Sequence, residues 1–197
     1  MPKARKPSDY PPNPAQWPAE RNGMAFRQRF DVAVHVPLKP LTLGPRIPGV
    51  KLVSRAELEA IAAPEDVAEL FGPARDRWSG ITIPLPDGNH LVILNDTHAA
   101  TRQNATVMEE YFHILLKHKG SSIMTCSITG LAQRKYDRAM EQEAYWSAAA
   151  ALLPYSALRA RIDAGQPAAE IAAHFETSSE LVAFRLKVTK LWKRACA

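Results

Sequence analysis

Met108–His118 reads MEEYFHILLKH, and the rest of the chain is interpreted outward from this stretch. Glu109 and His113 are four residues apart. On a helix that spacing puts both side chains on one face, one turn apart and within reach of a shared ion. Glu110 lies one position further round. The layout is that of H-E-x-x-H, in which two histidines bind zinc and the glutamate is a general base. Here glutamate stands in place of the first histidine. Val107, Met108, Tyr111, Phe112, Ile114, Leu115 and Leu116 make the expected helix, residues 101–118, apolar on most of its circumference. A helix of that kind is buried. Two carboxylates and an imidazole in its centre are costly unless paired or metal-bound.

A hydrolytic zinc site takes three protein ligands and keeps one position open for water. Two ligands can come from one helix, and the third must come from another element. Glu143, thirty residues beyond His113, lies on a second expected helix, Tyr136–Leu153, and is the candidate third ligand. Glu141 is two residues from Glu143, so it points elsewhere and is expected in solvent. Ala144–Ala151 is rich in alanine, which lets a neighbouring helix lie close. His118 is five residues beyond His113 and leaves the ligand face, so it is expected to be solvated or hydrogen-bonded. Tyr111 and Tyr145 are expected in the core. His35, His90, His98 and His174 have no companion at ligand spacing. A di-iron bundle needs two E-x-x-H motifs, and Glu110–His113 is the only one here.

Upstream, Val50–Val53 is a short strand. Ser54 and Glu57 then form a capping box, and Pro64 starts a further helix, Pro64–Leu70. Ser79–Pro84 and His90–Leu94 flank Pro86-Asp87-Gly88-Asn89 and read as a β-hairpin. Pro84 and Pro86 put the first of these strands at a sheet edge. Downstream, a short helix over Ser156–Ala164 is followed by Pro167–Phe175. Thr177-Ser178-Ser179-Glu180 is a second capping box and opens a long helix, Ser178–Lys193, giving the outline of a helix-turn-helix.

Ten of the 16 prolines precede residue 50. Residues 1–24 are expected to be a disordered basic, Pro-rich tail, with a short helix near Met24–Val34. The 197 residues allow one domain with a core and a small appendage. The net charge of +5 is concentrated at the two ends, which points to nucleic-acid contact or simply to solvated faces. No apolar run reaches the roughly 20 residues of a membrane span. The N-terminus lacks the apolar segment of a secretory signal. Cys126 and Cys196 form no C-x-x-C pair and suit a reducing compartment.

The stretch from Arg102 through MEEYFHILLKH to EQEAYWSAAAALLP resembles the ImmA/IrrE-type metallopeptidases. Their pattern is a hairpin ending in Asn, an arginine, HExxH after an R-x-R-F-T-x-A lead, and an E-A-N-x-F-A-x-x-L-L-x-P helix. Ile93-Leu94-Asn95 matches the strand end and Arg102 the arginine. Glu110 matches the catalytic glutamate, His113 the second histidine, Glu143-Ala144 the E-A pair, and Leu152 with Pro154 the motif end. The departures are Glu109 at the first zinc histidine, Asn104-Ala105 in the lead, and Ser147 where the family has Phe. Ser79–Pro154 matches well and the first 50 residues poorly.

The resemblance implies a cytoplasmic zinc-dependent endopeptidase that cleaves a regulatory, repressor-like protein in stress or mobile-element control. The expected fold is α+β: a small zincin-like core over 25–154, built from a hairpin sheet and active-site helices, and a helix-turn-helix-like segment over 155–197. Glu109, His113 and Glu143 are the expected metal ligands, Glu110 the general base, and Arg102 an accessory ion-pair partner of the acidic centre. Two carboxylates and one imidazole bring a Zn²⁺ site to about zero net charge, so its water is less acidic, and the added oxygen ligand moves preference towards harder ions such as Mn²⁺ or Mg²⁺. The alternative is a catalytically inactive homologue acting as a DNA-binding regulator through residues 178–194, which carry Arg185, Lys187, Lys190, Lys193 and Arg194.

Overall fold

The two β-rich runs form the expected hairpin, and it supplies two of the three strands of the main sheet. A computed structural model describes residues 10–118, 122–125, 132–135 and 137–195. Both cysteines and the first nine residues of the basic tail lie outside the described residues. Strand β1 (Val50–Val53) runs parallel to β3 (His90–Leu94), and β2 (Gly80–Pro84) is antiparallel to β3, giving the order β1-β3-β2. The β2–β3 turn closes with Leu85 N–H donating to Asn89 O at 2.7 Å, and Gly88 takes the left-handed φ of 83° that the turn requires. A parallel pair needs a crossover. It is made by α3 (Arg55–Ile61) and α4 (Pro64–Phe71), the first opened by the Ser54–Glu57 capping box.

Side chains alternate across β3 with the period of two that a strand imposes. Val92 and Leu94 enter the main core, which also holds Val107, Met108, Tyr111 and Phe112 of α5 (Ala100–Leu115). Ile93 faces the other way, into a smaller cluster with Val53, Leu58, Val67 and Phe71 under α3 and α4. Asn95 ends β3 fully buried. Its amide donates to Arg75 O and Trp78 O, and its oxygen accepts from Thr97 N–H and Oγ1–H.

Helix α6 (Arg138–Leu152) lies between α5 and α1 (Trp17–Arg29). The alanine stretch makes this possible. A Cβ on Gly23 of α1 would stand 2.5 Å from Ala151 N and 2.7 Å from Ala150 C. Arg27 reaches the carbonyl end of α6, with Nε donating to Ala151 O at 2.6 Å and Nη2 to Leu152 O at 3.2 Å. The last carbonyls of a helix lack intrahelical partners, and a cation there also meets the negative end of the dipole. Burial lowers the Arg27 pKa to about 10, so the guanidinium remains charged at neutral pH.

Helix α1 corrects the expectation of disorder through residue 24 and of a short helix near Met24–Val34. Its buried face carries Ala19, Glu20, Gly23, Phe26 and Arg27. Such a face has little apolar signature, so the residues read as solvated. Further differences follow. The connection expected over Lys117–Gly130 contains β4 (Ser122–Thr125), which pairs antiparallel with β5 (Ala132–Lys135). A one-turn helix α2 (Pro40–Leu43) precedes the sheet, and Gly44 after it accommodates the Tyr111 hydroxyl, which a Cβ would meet at 2.6 Å.

The chain ends in α7 (Tyr155–Asp163), α8 (Ala168–Phe175), α9 (Ser179–Val188) and α10 (Trp192–Ala195). The long helix expected to reach Lys193 stops at Val188. Lys190 takes a φ of 63°, and the turn closes with Leu191 N–H donating to Leu186 O, which buries Leu191. Ser178 caps α9, its Oγ accepting from Leu181 N–H. Arg185 of α9 is fully buried in an ion pair with Glu20, and its Nε donates to Leu153 O at 3.0 Å.

Removing one partner of a buried pair leaves a stranded charge, which costs about 3–5 kcal/mol. Glu20→Ala is therefore expected to lower the unfolding free energy from urea titration by that amount. The double variant Glu20→Leu with Arg185→Met is expected to recover most of the loss.

Candidate metal centre

Three side chains converge where α5 crosses α6. One ligand atom each from Glu109, His113 and Glu141 lie within 4.8 Å of one another, and all three residues are half-buried. The i, i+4 spacing brings Glu109 and His113 to one face of α5, as expected. Glu141 comes from the first turn of α6, with Oε2 3.6 Å from His113 Nε2. That gap is too long for a hydrogen bond. It suits two ligands of one ion, since neighbouring ligands of a tetrahedral zinc lie about 3.4 Å apart when the bonds are about 2.0–2.1 Å.

Electrostatics within the cluster point the same way. Burial, with the negative charges of Glu110 and Glu141, raises the Glu109 carboxyl from its ordinary 4.5 to about 7. The helix therefore places like charges together in a partly dehydrated site, and a divalent cation offsets that arrangement. Two carboxylates and one imidazole are reasonable ligands for zinc and for harder divalent ions. Tyr145, one turn after Glu141, has its phenol pushed up by burial and by the Glu109 charge, so it stays a hydroxyl beside the cluster.

Glu110 faces the hairpin. Thr82 Oγ1 on β2 donates to Glu110 Oε2 at 2.5 Å. Gly80, two residues earlier on the same face of β2, leaves the space that brings strand and helix together. A Cβ there would stand 2.7 Å from Thr106 Cγ2 and 3.1 Å from Glu110 Oε1. The carboxylate expected to act as a base is thus anchored to the sheet edge, while the ligand cluster sits between two helices.

Glu143 does not join the three-residue cluster. Its Oε2 lies 3.2 Å from His118 Nε2, and His118 Nδ1 lies 3.1 Å from His113 Nδ1. Glu141, expected in solvent, takes the place given to Glu143. The cause is the end of α5. Lys117 adopts a left-handed φ of 56°, Lys117 N–H donates to Ile114 O at 3.0 Å, and His118 N–H donates to His113 O at 2.9 Å. This is a Schellman turn. It folds His118 back over His113 and lets it engage Glu143, whereas a straight helix would carry His118 off the ligand face.

Arg102 is also placed differently. It is exposed on α5 and donates to Ser79 Oγ at 2.7 Å rather than pairing with the acidic centre. Arg185, counted among the basic residues of a DNA-contacting helix, is buried on Glu20 and unavailable to phosphate. Thr82 and Tyr145 were not identified as site residues from the sequence. Only a backbone register for β2 and a phase for α6 bring them in.

Without metal, the raised Glu109 pKa makes stability pH-dependent. The protonated carboxyl contributes fully below its unfolded pKa of about 4.5, and this contribution is lost as pH rises to and through about 7. In chelator, the unfolding free energy from urea titration is expected to fall across that window by at most about 3 kcal/mol, less after solvent screening. Glu109→Gln is expected to flatten the dependence.

The model for the IrrE N-terminal-like domain, a peptidase family designated M78, matches residues 67–187, more than half of the chain. The match spans β2, β3, α5, α6 and the helices through α9. No curated protein matched the chain. With the convergence of Glu109, His113 and Glu141 beside Glu110, the match establishes that this chain belongs to the IrrE N-terminal-like family of M78 peptidases.

Proposed function

We propose that the protein is a metal-dependent endopeptidase that cleaves a regulatory, repressor-like protein. The observation that carries this reading is the cluster of Glu109, His113 and Glu141 within 4.8 Å, beside a glutamate anchored to an edge strand. Those three residues would hold the metal, zinc or a harder divalent ion. When bound, such an ion acidifies water and polarises a carbonyl.

The remaining chemistry belongs to the chain. Glu110 takes a proton from the attacking water and delivers it to the departing amine. Thr82 fixes the orientation of its carboxylate. Tyr145 offers a hydroxyl at the ligand side. Among the described residues β2 is an edge strand, so an extended peptide can add to it and lie along the site. Thr82, which holds Glu110, is in that strand, so substrate and base share one support.

The alternative, a DNA-binding regulator acting through residues 178–194, has less support. Burial of Arg185 leaves Lys187, Lys190, Lys193 and Arg194, all late in the segment, whereas a recognition helix reads bases from its N-terminal part. Glu180, exposed in the first turn of α9, opposes phosphate.

The test is stoichiometric metal analysis of the purified protein, followed by incubation with candidate repressor-like proteins and mass spectrometry of the products. Cleavage that a chelator stops and added Zn²⁺ or Mn²⁺ restores is expected. Metal-independent cleavage, or no stoichiometric metal in wild type and Glu109→His alike, would sink the reading. Glu110→Gln is expected to lose about 10²–10⁴-fold in rate while calorimetry shows metal affinity retained.

A further inference from the structure

The contacts of His118 and Glu143 fix more than their own positions. A carboxylate accepts and does not donate, so His118 Nε2 carries the hydrogen in its 3.2 Å contact with Glu143 Oε2. In a neutral imidazole the other nitrogen is then an acceptor. His118 Nδ1 lies 3.1 Å from His113 Nδ1, so His113 Nδ1 is the donor in that contact. It follows that neutral His113 keeps its hydrogen on Nδ1 and presents the Nε2 lone pair. Nε2 is the nitrogen that faces Glu141, at 3.6 Å.

We infer that Glu143 and His118 form a relay that sets the tautomer and ring orientation of His113, so that His113 enters the metal site through Nε2. This inference rests on the metal-site reading above and adds two positioning residues to it. The usual arrangement places one carboxylate or carbonyl behind a ligating histidine. Here a second imidazole stands between. The geometry is built in. Lys117 accepts a left-handed backbone, a conformation that favours glycine, and the Schellman turn it makes delivers His118 to His113. The His118 side chain is only 6% exposed while that of Glu143 is 50% exposed. The relay therefore runs from the surface inward, and its outer member can be changed without opening the core.

Two measurements on the full chain separate this inference from the reading beneath it. The first uses no metal. At pH 8, long-range ¹H–¹⁵N spectra of histidine-labelled protein are expected to show His113 protonated on Nδ1 and His118 on Nε2. In His118→Ala, His113 is expected to move towards the Nε2–H form. A wild-type His113 protonated on Nε2, or one unmoved by His118→Ala, would overturn the relay. The second is Zn²⁺ calorimetry. Glu143→Ala and His118→Ala are each expected to weaken binding by about 10–100-fold. Glu143→Gln, whose amide oxygen still accepts from Nε2–H, is expected to restore most of it. Because Glu143 is exposed, this pair of variants remains informative if His118→Ala unfolds. A loss in Glu143→Ala as large as that in Glu141→Ala would make Glu143 a ligand and overturn its positioning role. Undiminished binding in His113→Ala would refute the metal-site reading, and the metal-free spectra would still judge the relay.

Discussion

Helix α6 has no side chain larger than a methyl from Ala148 to Ala151, and the spacing of its neighbours depends on that absence. Small residues allow helix backbones to approach closely, and each added methylene in a close-packed core is felt. Here α1 comes near enough for Gly23 to touch the α6 backbone, and α5 packs on another side. The first turn of the same helix carries Glu141. The same close-packed helix that α1 and α5 flank therefore also brings Glu141 to His113. A site held by packing of this kind can be tight without any of its own residues being rigid.

Much of this was legible in the sequence. The hairpin, the Ser54 capping box and the α5 motif depend on local rules of turn chemistry, capping and periodicity, and those rules do not need tertiary context. What failed depended on context. Helix α1 buries glycine, alanine, a glutamate and an arginine along with Phe26, a face that no hydropathy period marks. The Glu141–Glu143 exchange turned on the phase of α6 against α5, which no single helix contains. His118 is hydrogen-bonded and outside the ligand cluster, as expected, but its partners, His113 and Glu143, depend on one left-handed residue at Lys117 that periodicity does not mark.

The acidic character of the centre is a further compromise. Replacing the first histidine of the motif by Glu109 adds a negative charge to a dehydrated site already holding Glu110 and Glu141. Burial and the neighbouring carboxylates raise the Glu109 pKa to about 7, so a metal that takes its carboxylate competes with a proton near neutral pH. Affinity for the ion and local pH are therefore coupled through the residue that distinguishes this chain from the usual motif.

The Glu20–Arg185 pair also bears on how the chain can be divided. It joins the first helix to the ninth across almost the whole sequence, and Leu181 of α9 sits in the same core as α5 and α6. The helices after Pro154 have a buried cluster of their own and are tied to the rest of the chain through this pair and Leu181. Cutting there would strand a carboxylate in one fragment and a guanidinium in the other.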